Sequence, residues 1–298
     1  MSDKIGFIGL GEIGLPIAIN LQKSGFKVFA YDTNEKALKT AQQQGIICCD
    51  SIKEVAENSD GSIISLVRTA EQTKDVIFGE QGITSADKRG LTIIIMSTLD
   101  PTTVKELDEK VEKMGFHLVD APVSGGKSGA ETATLSIMTS GAEDVVKKCN
   151  RYFEAVGENI FYFGKESGAG QSAKLVNNLI VGINVTGMAE GLRFGQKYSL
   201  PQDEILKLLS VSTGSSWVVN HWGEVSKWKP EATLGALYKD LMAIIKECSK
   251  NQLSLPLGAL TSSLLIDSMD VLHREIDEEL DKISVNNGYI QKSSTLIR

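Results

Sequence analysis

Residues 4–18 read Lys4-Ile-Gly-Phe-Ile-Gly9-Leu-Gly11-Glu-Ile-Gly14-Leu-Pro-Ile-Ala18. A short apolar run enters a turn with the G-x-G-x-x-G spacing, and a helix-like stretch follows. A second apolar run, Val28-Phe-Ala-Tyr31, then ends in Asp32. This order is what a dinucleotide site requires. Gly9 permits the tight turn, Gly11 leaves bare backbone for a pyrophosphate, and Gly14 lets helix and strand pack closely. The positive end of the helix then faces the phosphates. The candidate cofactor-binding residues of the turn are Gly9, Leu10, Gly11, Glu12, Ile13 and Gly14. Asp32 lies 18 residues beyond Gly14 (32 − 14). A carboxylate there accepts hydrogen bonds from ribose hydroxyls and repels a 2′-phosphate. No arginine follows it in Thr33-Asn34-Glu35, so the expected cofactor is NAD, with NADP as the second option. Asp32 is also placed to cap the next helix.

Outward from this turn, short apolar runs alternate with helical stretches. Strands are predicted at 4–9, 27–32, 61–67, 91–97, 116–121 and 134–139, and helices at 14–24, 35–44, 70–78 and 101–114. Such alternation predicts a parallel sheet with helices on both faces. A glycine-containing link, Phe163-Gly-Lys-Glu-Ser-Gly-Ala-Gly170, precedes a long helical stretch, 171–197. Further helices are expected at 202–210, 217–227, 234–252 and 257–273. The fold class expected is α/β: a Rossmann-type doubly wound domain over 1–164 and an all-helical domain over 165–298. The second domain would carry substrate and oligomer contacts, with a cleft between the two. The polar, acidic tail after about residue 275 has no assigned place.

Composition narrows the function. A net charge of −7 without a long basic run argues against a nucleic-acid partner. No apolar run approaches the roughly 20 residues of a membrane span, and nothing at the start resembles a signal peptide. Cys48, Cys49, Cys149 and Cys248 form no C-x-x-C pair, as expected of reduced thiols in a cytoplasmic protein. No metal site is expected. His117, His221 and His273 are scattered, with no ligand partner four residues on, and read as structural.

Three later segments carry chemistry. Asp120-Ala-Pro-Val-Ser124-Gly125-Gly126 offers a hydroxyl and unshielded amides, a concave array suited to a carboxylate and equally a plain turn. In Gly168-Ala-Gly170-Gln-Ser-Ala-Lys174-Leu-Val-Asn177-Asn178, one helical face presents an ammonium and two amides at i, i+3 and i+4. A lysine so placed exchanges protons when burial brings its pKa towards neutrality; a solvated polar face has the same pattern. Tyr238-Lys239-Asp240-Leu241 says little alone. Trp217, Trp222 and Trp228 read as packing, with Trp217 the one candidate for a cleft wall.

Together and in this order, these segments resemble the β-hydroxyacid dehydrogenase family, the group of 3-hydroxyisobutyrate dehydrogenase, over roughly residues 4 to 270. The resemblance implies an enzyme that moves a hydride between NAD and a small 3-hydroxy acid. It implies Lys174 as general acid–base, Asn178 orienting the substrate oxygen with Asn177 behind it, and Ser124, Gly125 and Gly126 holding the carboxylate. It places Lys239 at the cofactor–substrate junction, Ser97 and Thr98 beside the nicotinamide, and Val67 and Arg68 along the cofactor. Trp217, in Thr213-Gly-Ser-Ser-Trp217, would touch the variable end of the substrate. It also implies a homo-oligomer, dimer or tetramer. The chain departs from the family at Ile13 (usually methionine), Ala133 (usually glycine) and Ala232 (commonly aromatic). Those changes leave the substrate open among 3-hydroxyisobutyrate, glycerate or tartronate semialdehyde, and four-carbon sugar acids such as threonate. The related 6-phosphogluconate dehydrogenases usually carry histidine at Asn177 and are longer. Imine reductases generally lack the lysine. A non-catalytic dinucleotide sensor is the alternative of another class.

Overall fold

The computed structural model describes residues 3–286, with side chains described as far as residue 271. The chain forms two compact units that divide after Val176.

The first unit begins with β1 (Lys4–Ile8), α1 (Gly14–Lys23), β2 (Lys27–Tyr31), α2 (Glu35–Gln43) and the short β3 (Ile47–Cys48). It continues through α3 (Ile52–Asn58), β4 (Ser62–Ser65), α4 (Ala70–Phe78), β5 (Thr92–Ile95), α5 (Pro101–Lys113) and β6 (His117–Asp120). These strands make a six-stranded parallel sheet in the order β3-β2-β1-β4-β5-β6. The order reverses between β1 and β4, the switch point at which such sheets bind ligands beyond their strand ends. The central strands are buried on both faces, as in Thr92-Ile-Ile-Ile95; the helices on either side exclude water from them. Local signals set the helix starts. Thr69 and Gln72 form a capping box for α4, and Asp100 caps α5 with Pro101 at its first position.

The strand expected at 134–139 is not in this sheet. It is β8 (Leu135–Thr139), the middle of a second sheet between β7 (Val123–Ser124) and β9 (Gly157–Tyr162). β7 runs antiparallel to β8, and β9 runs parallel to it. The sixth place in the main sheet falls to β3, two residues long and too short to show a period. The helices α6 (Gly126–Thr132) and α7 (Glu143–Phe153) complete this part.

Helix α8 (Ala169–Lys197), 29 residues long, runs from the first unit into the second. The second unit adds α9 (Gln202–Val211), α10 (Trp217–Asn220), α11 (Trp222–Val225), α12 (Thr233–Asn251) and α13 (Pro256–Asn286). The single helix expected at 217–227 is two short ones, broken at His221, whose φ of −116° and ψ of 23° leave the helical region. The backbone of α13 runs past the expected end at 273 to Asn286; the rest of the tail and the side chain of His273 lie outside what the structure describes. Within the unit, Leu241 of α12 packs against α8 at Gly182, where an added Cβ would sit 3.1 Å from Leu241 Cδ1. No helix among the described residues is long and apolar enough to cross a membrane.

Candidate active site

The glycine turn joins β1 to α1. Gly9 has φ of +98°, and a Cβ there would lie 2.1 Å from the Leu66 carbonyl oxygen. A Cβ on Gly14 would lie 2.0 Å from the Gly9 carbonyl. Neither position accepts a side chain. Gly11 faces open space, with nothing within 4 Å of an added Cβ. No side chain caps α1, and its first turn carries no acid. An open glycine before an uncapped helix start fits the pyrophosphate of a dinucleotide. Leu10 is buried beneath the turn, whereas Gly11 and Glu12 are exposed and Ile13 is half-buried.

Asp32 does not cap α2. Asn34 does, accepting from the amides of Lys36 and Ala37. Asp32 instead braces the turn: its Oδ2 accepts from the Leu10 amide at 2.5 Å and its Oδ1 from the Asn34 amide at 2.7 Å. A carboxylate oxygen has room for two hydrogen bonds, so both can still receive a ribose hydroxyl.

The ends of β4 and β5 are joined by the Val67 amide, which donates to Ser97 Oγ at 2.8 Å. Arg68 is exposed, with its amide on Gln72 Oε1 at 2.9 Å, and Thr98 is half-buried. Ser124 closes β7, and Gly125 (φ of +127°) precedes α6, which no side chain caps. Both glycines are exposed. Asn20 of α1 donates to the Ala130 carbonyl of α6 at 2.7 Å, so the helix that follows the dinucleotide turn is tied to the one that follows the Ser-Gly-Gly turn.

Lys174 lies early in α8 and is only 9% exposed, which removes the solvated-face reading of this position. In the second unit, Asn177 Nδ2 donates to Asn178 Oδ1 at 3.0 Å, and Asn178 Nδ2 donates to Asp240 Oδ2 at 2.6 Å. Lys239 Nζ pairs with Asp240 Oδ1 at 3.1 Å. The aspartate of this pair is buried, and it fixes which way the Asn178 amide points. Trp217 belongs to another cluster. Its half-exposed ring stacks on His221 at 4.1 Å between centroids and lies 6.5 Å from Trp228. Among the described residues no group of three His, Cys, Asp or Glu side chains could hold a metal.

Sequence reasoning gave no role to Asp120, Gln171 or Asp240. Asp120 and Gln171 are wholly buried. Burial pushes the Asp120 carboxyl up to about 6, against the pull of its hydrogen bonds from Gln171, Ser140 and the Gly168 amide. The available signal was an acid closing an apolar strand, Phe116-His-Leu-Val-Asp120, where exposure is not expected.

Residues 4–164 match the model of the NAD-binding domain of 6-phosphogluconate dehydrogenase. Residues 168–285 match that of the NAD-binding domain of NADP-dependent 3-hydroxyisobutyrate dehydrogenase. The chain is 38% identical over 218 residues to the 2-(hydroxymethyl)glutarate dehydrogenase of Eubacterium barkeri, covering 73% of this chain and 72% of that one. It is 32% identical over 298 residues to the 3-hydroxyisobutyrate dehydrogenase of Pseudomonas aeruginosa, covering 96% of this chain and 98% of the other. The chain belongs to the β-hydroxyacid dehydrogenase family. The fold agrees: a Mycobacterium tuberculosis 3-hydroxyisobutyrate dehydrogenase solved with L-serine superposes with a TM-score of 0.79 at 25% identity, over 92% of this chain and 99% of that one. As in its relatives, the cofactor is a nicotinamide dinucleotide. One family departure now has a physical meaning. Ala133, where glycine is usual, ends α6 in the left-handed region, with φ of 59° and ψ of 35°.

Proposed function

We propose that this dehydrogenase oxidises a small 3-hydroxy acid with NAD, or runs the same reaction in reverse, with Lys174 as the general acid–base. The observation that carries the reading is a buried lysine one turn into a helix whose start is bonded to the ends of β5 and β6, in the same parallel sheet whose β1 leads into the dinucleotide turn. In oxidation, neutral Lys174 Nζ takes the hydroxyl proton as the C–H bond opens; in reduction, its ammonium form returns that proton to the forming alkoxide. Positioned proton transfer of this kind contributes about 10²–10⁴-fold. A bound nicotinamide supplies the hydride acceptor or donor. Ser124 Oγ and the amides at Gly125 and Gly126 hold the carboxylate, and Asn178, with Asn177 behind it, orients the hydroxyl oxygen. Lys239 sits at the cofactor–substrate junction, and Trp217 touches the variable end of the substrate. Gly9 to Gly14, Val67, Arg68, Thr98 and Lys239 contact the cofactor, and Asp32 takes the ribose hydroxyls and favours NAD over NADP.

The substrates named for the two relatives share a hydroxymethyl group on the carbon beside a carboxylate. That supports a primary 3-hydroxy acid over a sugar acid. The test is turnover of NAD by purified protein with a panel of small hydroxy acids, alongside Lys174→Ala. The variant should bind NAD normally and lose at least about a hundredfold in kcat. Near-normal turnover by Lys174→Ala removes the assignment, and cofactor binding without turnover on any acid would make the wild-type protein a sensor.

Self-association has its own support. Val176, Ile180 and Phe194 of α8 are exposed apolar side chains on one helical face, since the 18 residues from Val176 to Phe194 make five turns, and exposed Tyr198, just past the helix, packs on Phe194 at 4.9 Å between ring centroids. A second copy of this chain, in the cytoplasm, is the partner that we assign to that face. Sedimentation as a monomer at micromolar concentration would count against it.

A further inference from the structure

We propose that Gln171 and Asp120 are positioning residues for Lys174, a role that rests on Lys174 being the acid–base. The carboxylate of Asp120 closes β6. Its Oδ2 accepts from the Gln171 amide at 2.9 Å and from Ser140 Oγ at 3.1 Å, and its Oδ1 accepts from Gln171 Nε2 at 2.8 Å. Ser140 Oγ in turn accepts from the Gly170 amide at 3.0 Å. Two amides of the first turn of α8 are therefore capped from 51 and 30 residues away.

The Gln171 side chain carries the restraint across the sheet. Its Nε2 also donates to the Ser97 carbonyl at 3.0 Å, and its Oε1 accepts from the Leu99 amide at 2.9 Å. A main-chain carbonyl can only accept and an amide can only donate, so the orientation of this side chain is unambiguous. Ser97 passes the chain of bonds on to Val67. The helix start is bolted to the ends of β5 and β6, and through Ser97 to that of β4; Ser97 and Thr98, after β5, are the residues assigned to the nicotinamide side of the cofactor. The backbone is also wedged: an added Cβ would meet the Pro101 carbonyl oxygen at 2.6 Å from Gly168, and the Met138 carbonyl oxygen at 2.3 Å from Gly170.

Capping alone does not account for this arrangement. A local hydroxyl caps a helix without burying a charge. Ser167 stands two residues before α8, and its hydroxyl is turned towards Asp108, to which it donates at 2.6 Å. In its place stand a wholly buried carboxylate, costly to desolvate, and a wholly buried amide with every hydrogen-bonding group used. Lys174 follows Gln171 by three residues, on the same face and about 4.5 Å along the axis. A shift of about 1 Å between reacting groups is enough to cost about a hundredfold in rate.

The test compares Gln171→Met, which keeps the bulk and removes the amide, with wild type and Lys174→Ala. Gln171→Glu, which keeps the acceptor for Leu99 and loses the donor, replaces it if Gln171→Met does not fold. Two readouts are taken well below the melting temperature. The first is acylation of Lys174 by an amine-reactive ester, followed by mass spectrometry with Lys148 as the exposed reference. The second is kcat, KM and the deuterium isotope effect on the acid that turns over best. We expect Lys174 labelling to rise several-fold against an unchanged Lys148. We expect kcat to fall about 10- to 100-fold, with both KM values within a factor of two and a larger isotope effect. A purely structural role would lower the melting temperature and move none of these. Unchanged Lys174 labelling, or wild-type kcat in the variant, overturns the positioning role. Normal turnover by Lys174→Ala overturns instead the catalytic reading on which it rests.

Discussion

Replacing Ala133 with glycine should stabilise the first unit. Ala133 ends α6 with φ of 59°, and its amide and that of Thr134 both return to the Gly129 carbonyl, the latter at 2.9 Å. That geometry holds α6, and so the Ser124-Gly125-Gly126 turn at its other end, against β8. An L-residue in the left-handed region costs about 1–2 kcal/mol. Glycine removes that strain but gives the unfolded chain more freedom, worth about 0.4–1 kcal/mol in the other direction. The methyl group is only half-buried, so its lost packing is small. The net expectation is a gain of about 0.5–1 kcal/mol. Urea titration followed by circular dichroism should move the midpoint of the first unit's transition upwards without a change in slope. Gln252→Gly, at the left-handed end of α12 (φ of 54°), is the matching control in the second unit. A midpoint that falls at constant slope for Ala133→Gly would refute the reasoning. It would mean that the methyl contact outweighs the backbone strain.

Two further outcomes concern charge. Asp32→Ala should narrow the preference for NAD over NADP and also weaken binding of both, because the Leu10 amide loses its acceptor; the ratio and the two dissociation constants are read by fluorescence titration, and an unchanged ratio would leave Asp32 with the brace alone. For Asp120, the carboxyl pKa is about 6 in the fold against 3.8 as the ordinary value, so the folded state holds its proton to higher pH than the unfolded state does. The stability contributed by this proton is complete below about 3.8 and is lost as pH rises through about 6. Wild type should therefore lose up to about 3 kcal/mol relative to Asp120→Asn between those limits. Denaturation midpoints of the pair at several pH values check this, and a constant difference would show that the carboxyl keeps its ordinary pKa.

The sequence was most readable where one physical demand dominates. Gly9 and Gly14 admit no side chain, and β1, β2, β4, β5 and β6 each keep a buried apolar run, so these five strands could be laid out within a residue or two. β3 and β7 are two residues each, too short to carry a period. β8 has the same apolar texture as the sheet strands, and nothing in its residues says that it pairs with β7 and β9 instead. The break at His221 was hidden because Trp217 to Val225 keeps helical spacing on both sides of it. In the candidate site, side-chain types and helical spacing put Lys174, Asn177 and Asn178 on one face, and the family resemblance gave them roles. What holds them could not be read. Gln171 meets Asp120 across 51 residues and Asn178 meets Asp240 across 62, and such pairings exist only once the chain has folded.

Helix α8 has a consequence for how this chain can change. Lys174 and Asn178 stand on one uninterrupted helix with its first turn bolted down. Inserting or deleting a single residue between Gln171 and Asn178 would turn everything downstream by about 100° and shift it by about 1.5 Å. The loops at 212–216 and 252–255 can gain or lose residues without altering that phase. Length variation that keeps this phase is thus confined to such loops, while α8 can vary only by substitution, a ruler whose divisions cannot be moved.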